Sequence, residues 1–173
     1  MIFRIFLWLP LLAFFSSCWQ ESPGASGYQL LSRYSKQIDR QTGFETYTKG
    51  IPDGDPITLF HCQWNGWKNM SFDEARLLMV KTAQGFLLLV NSDQAVKTHL
   101  PIYPLTVNFL EFHFRLFPRD ASDGTVIRRV SLTNGRLTYW YNSPLRTDGP
   151  TPPDVVETYE EALRKSKYHA DVP

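Results

Sequence analysis

Val126 to Asn142 reads VIRRVSLTNGRLTYWYN. Asn134-Gly135 is a strong two-residue hairpin signal, because both central positions of the turn need positive φ. Counting outward from the turn, Leu132 faces Leu137 and Val130 faces Tyr139 on an apolar side. Ser131 opposite Thr138, and Arg129 opposite Trp140, form the other side. The Arg129 guanidinium is then placed to stack on the Trp140 ring, a contact worth about 0.5–1 kcal/mol. This hairpin commits the chain to an antiparallel sheet with one face in a core.

The stretch before it supports the same reading. In Thr106 to Phe117, Leu110, Phe112, Phe114 and Leu116 alternate with Glu111, His113 and Arg115. Such alternation marks a strand with one buried and one watered face. At about 3.3 Å per residue a strand over the whole stretch would reach about 40 Å, so a bend or bulge is expected. Phe44 to Lys49 and Ile57 to Gln63 read as two earlier strands, separated by a turn rich in Gly, Pro and Asp.

Three helices are expected. Leu30, Leu31, Tyr34 and Ile38 fall at helical spacing within Tyr28 to Arg40, and Gly43 closes that helix. Ser71 and Glu74 form a capping box ahead of a second, heavily apolar helix that ends near Asn91. The last helix is expected to begin at Thr151-Pro152, with Asp154, Glu157, Glu160 and Glu161 early and Arg164, Lys165 and Lys167 late, an order that suits the helix dipole. The order α-β-β-α-β-β-β-α predicts one α+β domain over residues 28–173, an antiparallel sheet of about four to five strands with helices packed on it.

The chain has 173 residues, 43% of them hydrophobic and 14% aromatic, and a formal net charge of +1. That is enough for one domain with a core. Without residues 1–17, which contain Arg4 as their one charge, 17 basic side chains face 17 acidic ones. A balanced surface with no basic cluster argues against a nucleic-acid partner.

Met1 to Phe15 has the parts of an export signal, with Arg4 ahead of an apolar run from Ile5 to Phe15. As a helix that run reaches about 16 Å, against about 30 Å of hydrocarbon in a bilayer. Phe15-Ser16-Ser17-Cys18 then resembles the lipobox of bacterial lipoproteins, with Phe15 where that family usually carries Leu. The resemblance implies removal of residues 1–17, a diacylglycerol thioether on Cys18, and a membrane partner reached through that lipid. Residues 18–27, polar and rich in Ser and Gly, would then be the tether. Trp19 stands where an Asp would retain some lipoproteins at the inner membrane, so outer-membrane sorting is permitted. Two other outcomes stay open: cleavage near Ala25-Ser26, giving a soluble secreted or periplasmic protein, and an uncleaved short anchor.

Chemistry-bearing motifs are sparse. No H-x-x-x-H, C-x-x-C or calcium loop is present, nor G-x-S-x-G, a phosphate-binding glycine loop or a dinucleotide fingerprint. No catalytic residue, metal ligand or cofactor is therefore assigned from sequence. His61 and Cys62 adjoin in a strand and point to opposite faces, with Cys62 read as a core residue. Glu111, His113 and Arg115 share one strand face, with Arg129 expected beside them, and form a candidate polar binding face. Trp64 and Trp67 flank a turn and form a candidate recognition patch for an envelope protein or glycan. The expectation is a membrane-anchored envelope lipoprotein with a binding domain. The alternative is a small envelope hydrolase or ligand-binding protein that uses Glu111, His113 and Arg115.

Overall fold

The computed structural model describes residues 23–117, 126–141 and 155–170. The expected signal peptide, Cys18, the turn at Asp120 to Gly124 and the helix start expected at Thr151-Pro152 lie outside the described residues. The described chain runs α1 (Pro23–Thr42), β1 (Glu45–Gly50), β2 (Phe60–Gly66), α2 (Phe72–Ser92), α3 (Gln94–Lys97), a 3₁₀ turn (Val107–Phe109), β3 (Leu110–Leu116), β4 (Ile127–Thr133), β5 (Arg136–Tyr141), β6 (Val155–Thr158) and α4 (Tyr159–Ala170). The six strands form one sheet in chain order. Every neighbouring pair is antiparallel except β2 with β3, which is parallel. A parallel pair needs a crossover connection, and α2 supplies it. The result is a single α+β domain with a mostly antiparallel sheet.

The hairpin forms in the register read from the sequence. Leu132 pairs with Leu137, Val130 with Tyr139, Ser131 with Thr138 and Arg129 with Trp140. Asn134 and Gly135 both take positive φ, 49° and 70°. The capping box of α2 is also present: the Glu74 amide donates to Ser71 Oγ at 3.3 Å and the Ser71 amide donates to Glu74 Oε2 at 2.8 Å.

Three boundaries differ from expectation. The helix α1 starts at Pro23, so residues 23–27, read as tether, form its first turns. Gly27 brings the chain against Ile51 and Ile57, where an added Cβ would stand 2.9 Å from both side chains. Tertiary packing thus extends the helix past the point where local pattern ends it. The long strand expected from Thr106 shortens, because Val107–Phe109 wind into a 3₁₀ turn first.

The third difference adds the sixth strand. Val155–Thr158, expected inside the last helix, pair with β5 instead. Val155 and Val156 are β-branched and suit a strand. The helix begins after them through a second capping box: the Thr158 amide donates to Glu161 Oε2 at 2.8 Å and the Glu161 amide to Thr158 Oγ1 at 3.2 Å.

The helices cover one face of the sheet. Phe60, Cys62, Trp64, Phe112, Phe114, Val130, Leu132, Leu137 and Tyr139 are buried beneath Met79, Ala83 and Phe86 of α2. Trp64 stacks on Phe114 with centroids 4.8 Å apart, and Phe112 meets it edge-on at 5.4 Å. Cys62 is fully buried, and that burial pushes its thiol pKa up to about 12. It is a core residue, as expected.

Glu157 fastens this layer together. It is buried on β6 and accepts from Arg76 Nε of α2 at 2.7 Å, from Tyr139 Oη of β5 at 2.6 Å and from Lys165 Nζ of α4 at 2.7 Å. Burial alone would raise its pKa, but the bonds from Lys165, Tyr139 and Arg76 outweigh it and hold the carboxyl below the ordinary range. A depressed folded pKa stabilises above the unfolded value of about 4.3 and is lost as pH falls through the folded value. Glu157→Gln should therefore cost about 1.5–3 kcal/mol at neutral pH, since it removes the charge-assisted bonds on β6 and leaves Asp73 as the carboxylate partner of Arg76. Urea denaturation checks this. The wild type should also lose more stability than Glu157→Gln on acidification below pH 4, and equal losses would count against the assigned network.

Candidate functional site

The face of the sheet away from the helices carries the polar residues of the central strands. Pairing of β2 with β3 sets His61 beside Glu111, Gln63 beside His113 and Asn65 beside Arg115. Pairing of β3 with β4 sets His113 beside Ser131 and Arg115 beside Arg129. Glu111, His113, Arg115 and Arg129, the face expected from sequence, thus come together. His61, Thr48, Gln63 and Ser131 join them.

Thr48, His61, Glu111, His113, Ser131 and Arg129 form one hydrogen-bonded network. Glu111 bridges two histidines: its Oε1 lies 3.2 Å from His113 Nε2 and its Oε2 lies 3.4 Å from His61 Nδ1. The second nitrogen of His61, Nε2, is 3.1 Å from Thr48 Oγ1. The second nitrogen of His113, Nδ1, lies 2.6 Å from Ser131 Oγ and 3.1 Å from Arg129 Nη2. Arg129 Nε also donates to Ser131 Oγ at 3.0 Å. A guanidinium can only donate, so Nδ1 of His113 is an acceptor and its Nε2 carries the proton given to Glu111. Arg129 sits over the Trp140 ring, 4.9 Å from its centroid.

The electrostatics follow from burial and neighbours. His113 is only 5% exposed, not watered as strand alternation implied. Desolvation lowers its pKa and the Arg129 charge lowers it further, against the opposing pull of Glu111, so the ring is neutral at pH 7. Partial burial would raise the Glu111 pKa, but bonds and charge from His113 and His61 hold it below the ordinary range. Desolvation and the charge of Arg115 both depress the Arg129 pKa. It stays charged all the same, as guanidinium does at any physiological pH.

Ser131, His113 and Glu111 have the connectivity of a nucleophile, base and orienting carboxylate. Two features disfavour that use. Ser131 is 3% exposed, and its oxygen already accepts from Arg129. The same guanidinium lies against His113 Nδ1 and would oppose an imidazolium there.

Next to this network is a small cleft of about 310 Å³ lined by Gln63, Arg115, Leu116, Phe117, Arg128 and Arg129. Arg115 and Arg129 face one another across β3 and β4. Among the described residues no carboxylate lies within ion-pair distance of either. Larger grooves of about 620 and 780 Å³ run along α1 and α2; in the second, the cations Arg33, Lys36 and Arg40 are accompanied by Asp39 and Asp93, with Arg33 3.9 Å from Asp93.

The tryptophan pair separates. Trp64 lies in the core, whereas Trp67 is 70% exposed. The expected two-tryptophan patch is therefore reduced to Trp67, which packs on Phe117 at 5.1 Å, at the rim of the arginine cleft. Trp64 continues the inward phase of Phe60 and Cys62, and that alternation was the signal that it is buried.

Sequence motifs gave no metal ligands, yet ligand atoms of His61, Glu111 and His113 all lie within 4.8 Å of one another. The partner strand of β2 is chosen across the α2 crossover, so no local spacing encodes the trio. No family model, curated protein or solved structure matches the chain.

The network makes His113 a reporter. Its ring should titrate below the ordinary value of about 6.5. Glu111→Gln should lower the midpoint further, because it removes the charge that favours the imidazolium. Ring-proton NMR against pH reads both, and an unchanged or raised midpoint in the variant would contradict the assigned contacts.

Proposed function

We propose that this chain is a lipid-anchored protein of the bacterial cell envelope whose domain binds a small anionic group on the open face of its sheet. The observation that carries the binding reading is the cross-strand pair Arg115–Arg129, two cations set opposite one another at the wall of a cleft. Like charges directly opposite on a sheet are destabilising. A carboxylate or phosphate between them relieves that repulsion and accepts bidentate hydrogen bonds from each fork.

Trp67 and Phe117 at the rim suit a ligand with a ring beside its anionic group. Acidic or phosphorylated envelope glycans have that character. The anchor rests on the resemblance at Phe15-Ser16-Ser17-Cys18. Among the described residues no helix is long and apolar enough to cross a membrane. A small envelope hydrolase is the second reading, and the Ser131–His113–Glu111 relay is what favours it.

Calorimetry with inorganic phosphate and with glucuronate tests the binding reading. Saturable binding is expected, weakened about tenfold or more, or 1.4 kcal/mol, in Arg129→Gln. Added salt should weaken it as well. Equal binding by wild type and variant would sink the cleft assignment. Loss of an esterase activity in Ser131→Ala would favour the hydrolase. Metabolic palmitate labelling tests the anchor: label on the wild type and none on Cys18→Ala is expected, and an unlabelled wild type would remove it.

A further inference from the structure

We infer that His61, Glu111 and His113 form a binding site for a divalent transition-metal ion of the zinc type, with His61 Nδ1, His113 Nε2 and a Glu111 carboxylate oxygen as ligands. The inference is independent of the arginine cleft and of the anion reading.

The donor set is the first argument. Two imidazoles and one carboxylate are a ligand combination that zinc and related ions accept, and three protein ligands leave a tetrahedral ion one open position. Both histidine nitrogens in question already converge on the Glu111 carboxylate, at 3.4 and 3.2 Å. The backbone holds them there, because His61 and Glu111 are register partners on central strands and His113 is two residues along from Glu111.

Ring spacing is the second. The His61 and His113 centroids are 5.6 Å apart. An ion about 2.1 Å from each nitrogen stands about 3.2 Å from each centroid, and a tetrahedral angle then sets the centroids about 5.2 Å apart. The rings are therefore within about half an ångström of the spacing they need. The ligand atoms, spread over as much as 4.8 Å, must draw in towards about 3.4 Å. Rotation of Glu111, whose side chain is 33% exposed, supplies much of that closure.

The third argument is the outer partner of each ring. A metal-bound histidine is oriented by what its other nitrogen contacts. Thr48 Oγ1 holds His61 Nε2 and Ser131 Oγ holds His113 Nδ1. Metal at His113 Nε2 displaces that proton, and the neutral ring carries its proton on Nδ1, where Ser131 Oγ accepts it. Arg129 Nη2 then leaves Nδ1, while Arg129 Nε keeps its bond to Ser131.

The test is calorimetric titration of the tag-free full chain, in detergent and without phosphate, with zinc(II) alone. Cobalt(II) serves as the optical probe. One saturable site is expected, with visible d–d bands of a low-coordinate cobalt centre. His61→Ala and Glu111→Gln should each weaken zinc about tenfold or more. Both side chains are about one-third exposed, so these variants fold, and metal-free melting curves check that. Absence of saturable binding, or equal affinity in the wild type, His61→Ala and Glu111→Gln, would overturn the site.

Discussion

The parallel pairing of β2 with β3 is the constraint on which the rest depends. It places His61 against Glu111 and Gln63 against His113 on one face, and Cys62 and Trp64 against Phe112 and Phe114 on the other. Side chains alternate along a strand, so a slip of one residue would turn Trp64 and Cys62 outward and bury the histidines among helices. The apolar face penalises that slip heavily, because full burial of a large side chain is worth about 1.5–3 kcal/mol. Hydrophobic packing on the helix side thus sets the polar geometry on the open side. The network on that face is a consequence of the core.

The two faces handle polar groups differently. On the helix side, among the described residues, the buried charges are Glu157 and Arg76, which pair with each other, Glu157 also accepting from Tyr139 and Lys165 and Arg76 also donating to Asp73. That cluster joins α2, β5, β6 and α4 and holds the outer half of the sheet under its helices. On the open side Glu111, His113, Ser131 and Arg129 satisfy one another, but Arg115 and Arg129 are left opposed. A like-charged pair that Glu111 only partly offsets, beside a satisfied network, is where a ligand has most to offer. The arginines call for an anion and the Glu111 trio for a cation, and Arg129 touches both.

Much of the fold was legible because its strongest signals are local. Asn134-Gly135 set the hairpin register and Ser71–Glu74 set the start of α2. The strand alternation around Phe112 and Phe114 gave the buried face. The misreadings have physical causes as well. Acidic residues before basic ones suggested a helix from Thr151, while the capping pair Thr158–Glu161 marked the true start and left Val155-Val156 to β6. Residues 23–27 looked like a tether by composition, because their contacts with Ile51 and Ile57 are distant in sequence. The site was half legible: Glu111, His113, Arg115 and Arg129 lie on adjacent strands of a meander and could be aligned by counting. His61 could not, since its neighbour is settled by a crossover and by the burial of Cys62 and Trp64.

On the proposed reading the open face of the sheet, rather than the larger grooves along α1 and α2, is the working surface. Backbone amide NMR of the protein titrated with inorganic phosphate tests this most directly. Shifts are expected to concentrate at Gln63, His113, Arg115 and Arg129, with the helices unmoved. Shifts centred on Gln37, Lys81 and their neighbours in the groove between α1 and α2 would contradict it.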